Sequence, residues 1–389
     1  MLNVTPGDIE WVDGDARLGE IFCLTFVKDV DETEALTRLG ALPDTLRPRE
    51  LDEAAEAFDR FETGYTELAF ALNLGAWTMV VEVNGFQGVL TEPLAGLSRG
   101  TEVVSVQRHD YADHGFRYAV DGTLVTGFEP TWPQHRWGSD PDRLLGKMRA
   151  AGLDPDAGDV DDDDDEDTDV SADVGAEVGA DVGYDVGYEP AAYVSAFLLA
   201  GLVTGAVPHP DALAGRLLSA EIEPWFGAAP PAMSAGPTDP AMIAALDAAP
   251  PRLLRAVAAA ETMRLATVLG LDATPGLAEA VAAAERGEQV TVSAGSELGG
   301  HVRSWLARAR QAGRSLNDPL ARHKMSDDER TAAHMVFWFA DALRAALWSD
   351  PHAAARGALH PLTRGPSPLR DPARETAVLH TLRRAQDPA

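Results

Sequence analysis

Residues 21–27 read Ile-Phe-Cys-Leu-Thr-Phe-Val, a run of seven that is apolar and partly β-branched. Such a run suits a central strand buried on both faces better than it suits a short helix. The single cysteine, Cys23, lies in this run, which excludes a disulfide within the chain and predicts a buried, inert thiol. A lone thiol fits a reducing compartment and no secretion signal is visible at the N-terminus, so we expect a cytoplasmic protein.

Short elements punctuated by turns surround this strand. Asp31 and Glu34 form a capping-box pattern that predicts one helix, and a second helix is predicted to begin near Pro48. The apolar period then changes to two, which predicts strands at residues 65–72, 77–83, 86–90, 101–107, 116–120 and 124–128, with a hairpin at Asn84-Gly85. Residues 1–153 are therefore predicted to be an α+β domain with an antiparallel sheet of five or six strands and two or three helices.

The formal charge of -30 is concentrated in one segment. Residues 154–190 hold sixteen Asp and Glu and no Lys or Arg, whereas residues 1–153 sum to -13 and residues 191–389 to -1. So few apolar side chains cannot offset chain entropy, which predicts a disordered acidic linker between two domains. An acidic chain repels phosphate backbones, so we expect no nucleic-acid partner.

Residues 191–389 lack strand signals and are predicted to form an all-α domain. Helices are predicted at residues 191–206, 211–219, 240–248, 252–270, 276–286, 297–313, 327–348 and 372–385. The uncharged stretch 193–207 has fifteen residues. A spanning helix needs ~20, so this stretch is predicted to be a buried helix and no membrane association is expected.

The sequence contains matches to motifs of known chemistry, but the predicted elements around them do not fit those motifs. Residues 96–100 match Gly-x-Ser-x-Gly, but a helical turn precedes them and a strand follows, the reverse of a hydrolase nucleophile elbow. The cluster from His109 to His114 contains Asp110 and Asp113 and could bind a metal, but turn residues are the favoured interpretation because no further ligand has motif spacing. No P-loop and no dinucleotide-binding motif occurs. We therefore predict no catalytic residue, no metal and no cofactor.

The most distinctive stretch is residues 128–138, Phe-Glu-Pro-Thr-Trp-Pro-Gln-His-Arg-Trp-Gly, which is predicted to leave the last strand as a loop. Two Trp, an Arg, a His and a Glu held between prolines could bind a planar or anionic group by stacking and hydrogen bonding. The candidate binding residues are Glu129, Trp132, His135, Arg136 and Trp137. Alternatively, the Trp side chains simply cover the sheet edge.

A basic face is predicted in the helical half. Residues 301–324 carry a local excess of +5, and Arg303, Arg310 and Arg314 share a helix side. A solvated face is the plain interpretation. The alternative is an intramolecular, salt-sensitive contact in which the acidic run 161–167 occupies this face and masks it from acidic partners.

Four stretches carry a resemblance to a known group of proteins: residues 22–27, 81–88, 97–100 and 128–138. They resemble an uncharacterised domain-of-unknown-function family from GC-rich actinobacteria, over roughly residues 8–150. The resemblance implies no activity, cofactor or catalytic residue.

Two functions of different classes remain open. The first is a non-catalytic interaction or regulatory protein, in which the sheet domain recognises a protein partner and the helical half is a scaffold. The second is an enzyme with an unrecognised site, at Glu129, His135 and Arg136 or at the His109 to His114 cluster. A deep pocket that joins these groups would favour the enzyme, and a flat Trp-covered surface would favour the interaction protein.

Overall fold

The computed structural model describes residues 4–15, 17–58, 67–110, 114–157, 191–227, 236–316 and 324–384. Its strands are β1 (Ile21–Lys28), β2 (Arg47–Arg49), β3 (Glu67–Asn73), β4 (Trp77–Val83), β5 (Glu102–His109), β6 (Gly115–Val120), β7 (Thr123–Glu129), β8 (Trp132–Trp137) and β9 (Leu217–Ile222). Its helices are α1 (Trp11–Gly14), α2 (Glu32–Leu39), α3 (Glu53–Phe58), α4 (Thr91–Leu97), α5 (Leu145–Ala150), α6 (Ala191–Thr204), α7 (Pro240–Asp247), α8 (Pro251–Val268), α9 (Leu277–Glu285), α10 (Glu297–Leu316), α11 (Asp327–Ala346), α12 (Pro351–Arg364) and α13 (Pro372–Arg384).

The nine strands form one antiparallel sheet in the order β2-β9-β3-β4-β1-β5-β6-β7-β8. β1 is therefore the middle strand, as its apolar run predicts. The prediction of five or six strands was wrong, because β2, β8 and β9 carry no clear strand pattern. β2 and β8 contain a proline, and β9 comes from the half of the chain that was predicted to be all helical.

Both faces of the sheet are covered, which explains why β1 does not alternate between apolar and polar residues. Phe22, Leu24 and Phe26 point into one core, where α6 packs through Tyr193 and Phe197. Helix α6 is buried as predicted. In the described parts of the chain, no helix is long and apolar enough to cross a membrane.

The second face of the sheet is covered by α2, by α4 and by the segment 84–90. α2 begins as predicted, because the Asp31 side chain accepts a hydrogen bond from the Glu34 backbone at 2.8 Å. Leu36 of α2 and Leu94 of α4 pack on small and β-branched sheet residues. The predicted strand at 86–90 was wrong: β4 already pairs with β1 and β3, and the segment crosses the sheet instead.

The remaining helices pack on one another. α8 contacts α9 and α12, and α11 lies between α10 and α12. Trp225, which follows β9, enters this helical core and donates its Nε1 hydrogen bond to the Ala340 carbonyl of α11 at 2.9 Å. The predicted helix at 211–219 was wrong, because β9 forms there against β2 and β3.

The sheet and its core include residues from both sides of the predicted linker. Residues 191–227 belong structurally with the sheet, since α6 covers one face and β9 supplies an inner strand. The predicted acidic linker, apart from residues 154–157, lies outside the described residues. Independent folding of the halves remains a prediction, and a division after Gly227 would keep the sheet intact.

Cutting the chain within the predicted linker tests whether the sheet is built from both sides of it. A specific protease site inserted between residues 158 and 190 would separate the early strands from α6 and β9. We expect the cleaved pieces to elute together in native size-exclusion chromatography, because they share the sheet and its core. They should separate only in denaturant, so separation under native conditions would contradict a sheet built from both pieces.

Candidate functional site

A group of polar side chains is buried on the second face of the sheet, beneath segment 84–90. Cys23 and Thr25 of β1, Glu82 of β4 and Ser105 of β5 are almost fully inaccessible to solvent. The Thr25 and Ser105 hydroxyl oxygens are 2.8 Å apart, and the Cys23 sulfur is 3.2 Å from that of Ser105. Side chains along a strand point alternately to the two faces of a sheet, so these polar residues lie on the face away from the large apolar core. The second face is therefore only partly apolar.

Glu82 fixes the segment that covers this group. Its two carboxylate oxygens accept hydrogen bonds from the backbone N–H groups of Gln87 and Gly88, each at 2.8 Å. Desolvation by burial raises the pKa of Glu82 to about 7, although these hydrogen bonds favour the charged form. A side chain at Gly88 would not fit, since an added Cβ would lie 2.0 Å from the Thr25 hydroxyl.

Cys23 and Ser98 are both buried and are both hydrogen-bonded inside the protein. Burial, with a contribution from the Glu82 charge, raises the pKa of Cys23 to about 12, so the thiol is unreactive as its sequence context predicts. Ser98, the serine of the Gly-x-Ser-x-Gly match, is buried at the end of α4 and donates to the Leu94 carbonyl at 2.8 Å. It also accepts from the Gly122 backbone, so it links a helix end to a hairpin.

The polar group continues from the sheet to the helical part. Gln87 donates to Glu67 of β3 at 2.8 Å, and burial raises the pKa of Glu67 while Arg310 of α10 opposes that shift. Arg310 is paired with Glu223, which directly follows β9. Carboxylates of the sheet part therefore face arginines of the helical part.

Two of the three predicted basic-face arginines contact the sheet part. Arg303 donates to Asp44 at 2.9 Å and Arg310 pairs with Glu223. A further pair joins Arg344 of α11 to Glu92 of α4. Arg314 also has an interaction. The acidic run 161–167, proposed from sequence to occupy this face, lies outside the described residues.

A groove of about 540 Å³ lies between α10 and α11. Its walls are mostly apolar, with Leu306, Gly313, Leu316 and Phe337 along them, and its charged lining residues are Arg310, Arg330 and Glu223. Leu316 is 68% exposed and Phe337 is 40% exposed, so large apolar surface faces solvent here. Asp341 lies one turn beyond Phe337 and has an exposed surface. The protein around its carboxyl group removes part of its hydration, which raises the pKa of Asp341 to about 7.

The residues predicted to form a binding loop lie on the edge strand β8 and at the end of β7. The loop prediction was wrong because β8 pairs with β7 despite Pro133. Arg136 is largely buried, donates to the Pro133 and Pro155 carbonyls at 2.8 Å, and pairs with Asp142. These contacts tie β8 to the following segment, so Arg136 holds structure together in addition to any role in binding.

Trp137 has a different environment from Arg136. Its indole lies across the sheet over Gly127, where an added Cβ would be 3.0 Å from the indole nitrogen. The Arg117 guanidinium carbon lies 4.6 Å from the centroid of the Trp137 ring. Trp132 and His135 are also exposed, and Glu129 pairs in register with Trp132. The structure thus brings Trp137 together with Arg117, not with Arg136.

The cluster from His109 to His114 is engaged in hairpin and helix contacts. The His114 Nδ1 accepts from the His109 backbone at 3.2 Å, and Asp110 pairs with Arg108 at 2.7 Å. Asp113 lies outside the described residues. Within the described ranges, no group of three His, Cys, Asp or Glu side chains could hold a metal ion.

Sequence reasoning missed Glu82 and Arg117. A single glutamate in the strand Trp-Thr-Met-Val-Val-Glu-Val was a signal, because a charged residue in a buried strand must find partners. Arg117 had a similar signal, since it is the only charged residue of β6.

Gly88→Ala tests the close approach of segment 84–90 to the sheet. The added methyl group would collide with the Thr25 hydroxyl, and we expect a loss of about 3 kcal/mol in the free energy of unfolding. Gly146→Ala in α5 is the matched control, because an added Cβ there meets nothing within 4 Å. That control should be neutral or slightly stabilising. Equal denaturation midpoints for the two variants would contradict this packing.

The raised pKa of Glu82 predicts a pH dependence of stability. The pKa of Glu82 in the folded protein, about 7, exceeds the ordinary 4.5. Glu82 therefore makes its full contribution to the free energy of unfolding below pH 4.5, and this contribution is lost as the pH rises through 7. Wild type should therefore lose on the order of 2–3 kcal/mol relative to Glu82→Gln across that window. Urea unfolding of both proteins at several pH values measures the difference, and parallel profiles would show that Glu82 does not titrate there.

Comparison with known proteins reaches only the first part of the chain. Residues 2–177 match a family described as a family of unknown function (DUF6461). The match includes β1 to β8 and α5 but neither α6 nor β9, which complete the sheet and its core. Neither a curated protein nor a solved structure matches the chain. The N-terminal part is therefore similar to an uncharacterised family, as its sequence motifs predict.

Proposed function

We propose that the chain is a non-catalytic interaction protein that docks an acidic, amphipathic segment of a protein partner in the groove between α10 and α11. The observation that carries this proposal is the exposure of Leu316 and Phe337 in the same groove of about 540 Å³. Exposed apolar surface that is grouped in a concave site is typical of interaction sites, whereas single exposed apolar residues are ordinary.

The shape of the groove favours a helical or extended peptide over a flat surface. Two packed helices present Leu306, Gly313 and Leu316 from α10 opposite Phe337 from α11. An amphipathic helix that places apolar residues three and four apart can fill such a groove. Small residues along α10, such as Gly313, leave room for the partner's side chains.

The charges around the groove favour an acidic partner. Arg308 and Lys324 are exposed, and Arg310 and Arg330 line the groove. Arg310 is paired with Glu223 and Arg330 with Asp327, so the exposed Arg308 and Lys324 are the residues that would attract an acidic segment and speed its encounter. Arg310 already pairs with Glu223, so the partner's acidic residues would extend an existing pair.

The chain's own acidic segment is a second ligand for the same surface. Residues 154–190 carry sixteen Asp and Glu, and they also contain Val and Tyr at regular spacing. We propose that this segment competes with the partner in a salt-sensitive manner, which would make the interaction regulated. The proposed partner is a protein and not a nucleic acid.

Other features support the proposal without testing it. Ser98, the serine of the Gly-x-Ser-x-Gly match, and the thiol of Cys23 both have structural contacts. An enzyme site at Glu129, His135 and Arg136 would have to use an arginine that already bonds Asp142 and three backbone carbonyls. A lone buried thiol supports a cytoplasmic location, and 29 arginines against three lysines support an actinobacterial, GC-rich origin.

Photo-crosslinking from the groove tests the proposed function. A benzoylphenylalanine residue replaces Phe337 in the full chain, and a second protein carries it at Val268 of α8, which is 50% exposed but outside the groove. Irradiation in native lysate should give a protein adduct from position 337 and none from position 268. Mass spectrometry of the adduct should identify an acidic amphipathic segment.

A second substitution separates specific docking from general stickiness. Leu316→Asp places a negative charge in the groove at a residue that is 68% exposed, so stability should hardly change. The adduct from position 337 should then fall strongly, since the charge repels an acidic partner. An adduct confined to residues 158–190 would make the occupant intramolecular, and equal adducts from both positions would contradict the proposal.

A further inference from the structure

A second pocket lies on the sheet part, between α4, the hairpin of β6 and β7, and the edge strand β8. Its volume is about 270 Å³, and Val89, Leu90, Leu94, Leu124, Arg117 and Trp137 line it. The groove between α10 and α11 shares none of these residues, so the inference drawn here is independent of the proposed function.

Arg117 contributes the charge of this pocket. Its Nη1 donates to the backbone carbonyls of Phe116 and Phe128, at 2.8 and 3.1 Å, and its guanidinium stacks on the Trp137 ring. Among the described residues, no carboxylate lies within ion-pair distance of Arg117, and its Nε and Nη2 form no hydrogen bond. Glu129 attracts the guanidinium only at longer range.

This arrangement leaves a half-buried positive charge without a counter-ion in the described structure. Desolvation lowers the pKa of Arg117 from its ordinary value, which shows that the surrounding protein disfavours the charged form. A guanidinium nevertheless stays protonated, so a buried arginine normally finds an anion. Two unused nitrogens on one side of the guanidinium match the two oxygens of a carboxylate.

The walls of the pocket indicate the size and the apolar character of a molecule that would fit it. Val89, Leu94 and Leu124 offer apolar surface, and Leu90 is 40% exposed at the opening. The Trp137 ring is exposed as well and provides a flat face. Pockets for drug-sized ligands usually begin near ~300 Å³, so a smaller pocket takes a smaller molecule.

We propose that this pocket binds a small organic monocarboxylate with an apolar body, its carboxylate on Arg117 and its hydrocarbon part against Leu90, Leu94 and Leu124. Trp137 packs against the ligand and keeps the guanidinium oriented. One arginine among apolar walls suits a single negative charge better than a phosphate, which needs more donors.

Binding of acid and amide pairs tests the charge. Benzoate with benzamide, and indole-3-acetate with indole-3-acetamide, differ only in the group that would face Arg117. Calorimetric titration of the full chain should show saturable binding of at least one acid and about tenfold weaker binding of its amide. Inorganic phosphate should not compete. Equal affinities within each pair, or no saturable binding of either acid, would overturn the proposal.

Substitutions at the opening locate the site. Leu90→Glu replaces apolar wall at the opening with a carboxylate, which would meet the ligand's hydrocarbon part and compete with the ligand for Arg117. The position is exposed, so folding should stay intact, and the acid should bind about tenfold or more weakly. Val268→Glu is the matched control on an exposed residue far from the pocket, and should bind as wild type does. Arg117→Met should abolish acid binding, and its thermal unfolding is measured alongside. If Leu90→Glu and Val268→Glu bind the acid equally, the ligand does not occupy this pocket.

Discussion

The buried carboxylate of Glu82 is the interaction on which the second face of the sheet depends. It accepts hydrogen bonds from the backbone N–H groups of Gln87 and Gly88, and so holds segment 84–90 against the sheet. That segment covers the hydroxyl and thiol group around Cys23 and sets where α4 begins. It also supplies two walls of the Arg117 pocket, Val89 and Leu90. A charged group in a buried strand is costly by itself, so its two backbone partners are what make the position tolerable.

The same segment leads to the contacts between the sheet and the helical part. Glu92 of α4 pairs with Arg344, and Trp225 after β9 enters the helical core. The side chains of Arg344 and Glu92 are only 14% and 20% exposed, so water and salt screen this pair less than a surface pair, and the buried indole adds packing and a hydrogen bond. The helical part is therefore attached both through α4 and through the end of β9. The groove between α10 and α11 lies beside this attachment, since Glu223 belongs to both.

Local signals predicted the elements that depend on local interactions. β1, α2, β4, the hairpin of β6 and β7, and α11 formed close to the predicted positions, because apolar period, capping and turn residues act within a few residues. β9 could not be predicted, since Leu-Leu-Ser-Ala-Glu-Ile becomes a strand only through pairing with β2 and β3. Trp137 was predicted as a candidate, but its neighbour Arg117 is twenty residues away and reaches it only through the intervening hairpin.

The two outer strands of the sheet have a feature in common. β2 is three residues long with Pro48 at its centre, and β8 carries Pro133, whose carbonyl is bonded by Arg136. A proline cannot donate a hydrogen bond to an incoming strand, and a carbonyl held by a side chain is less available to accept one. A wide open sheet would otherwise expose two templates for pairing with other chains. Both margins are thus protected against edge-to-edge aggregation, independently of the acidic charge that keeps such chains apart.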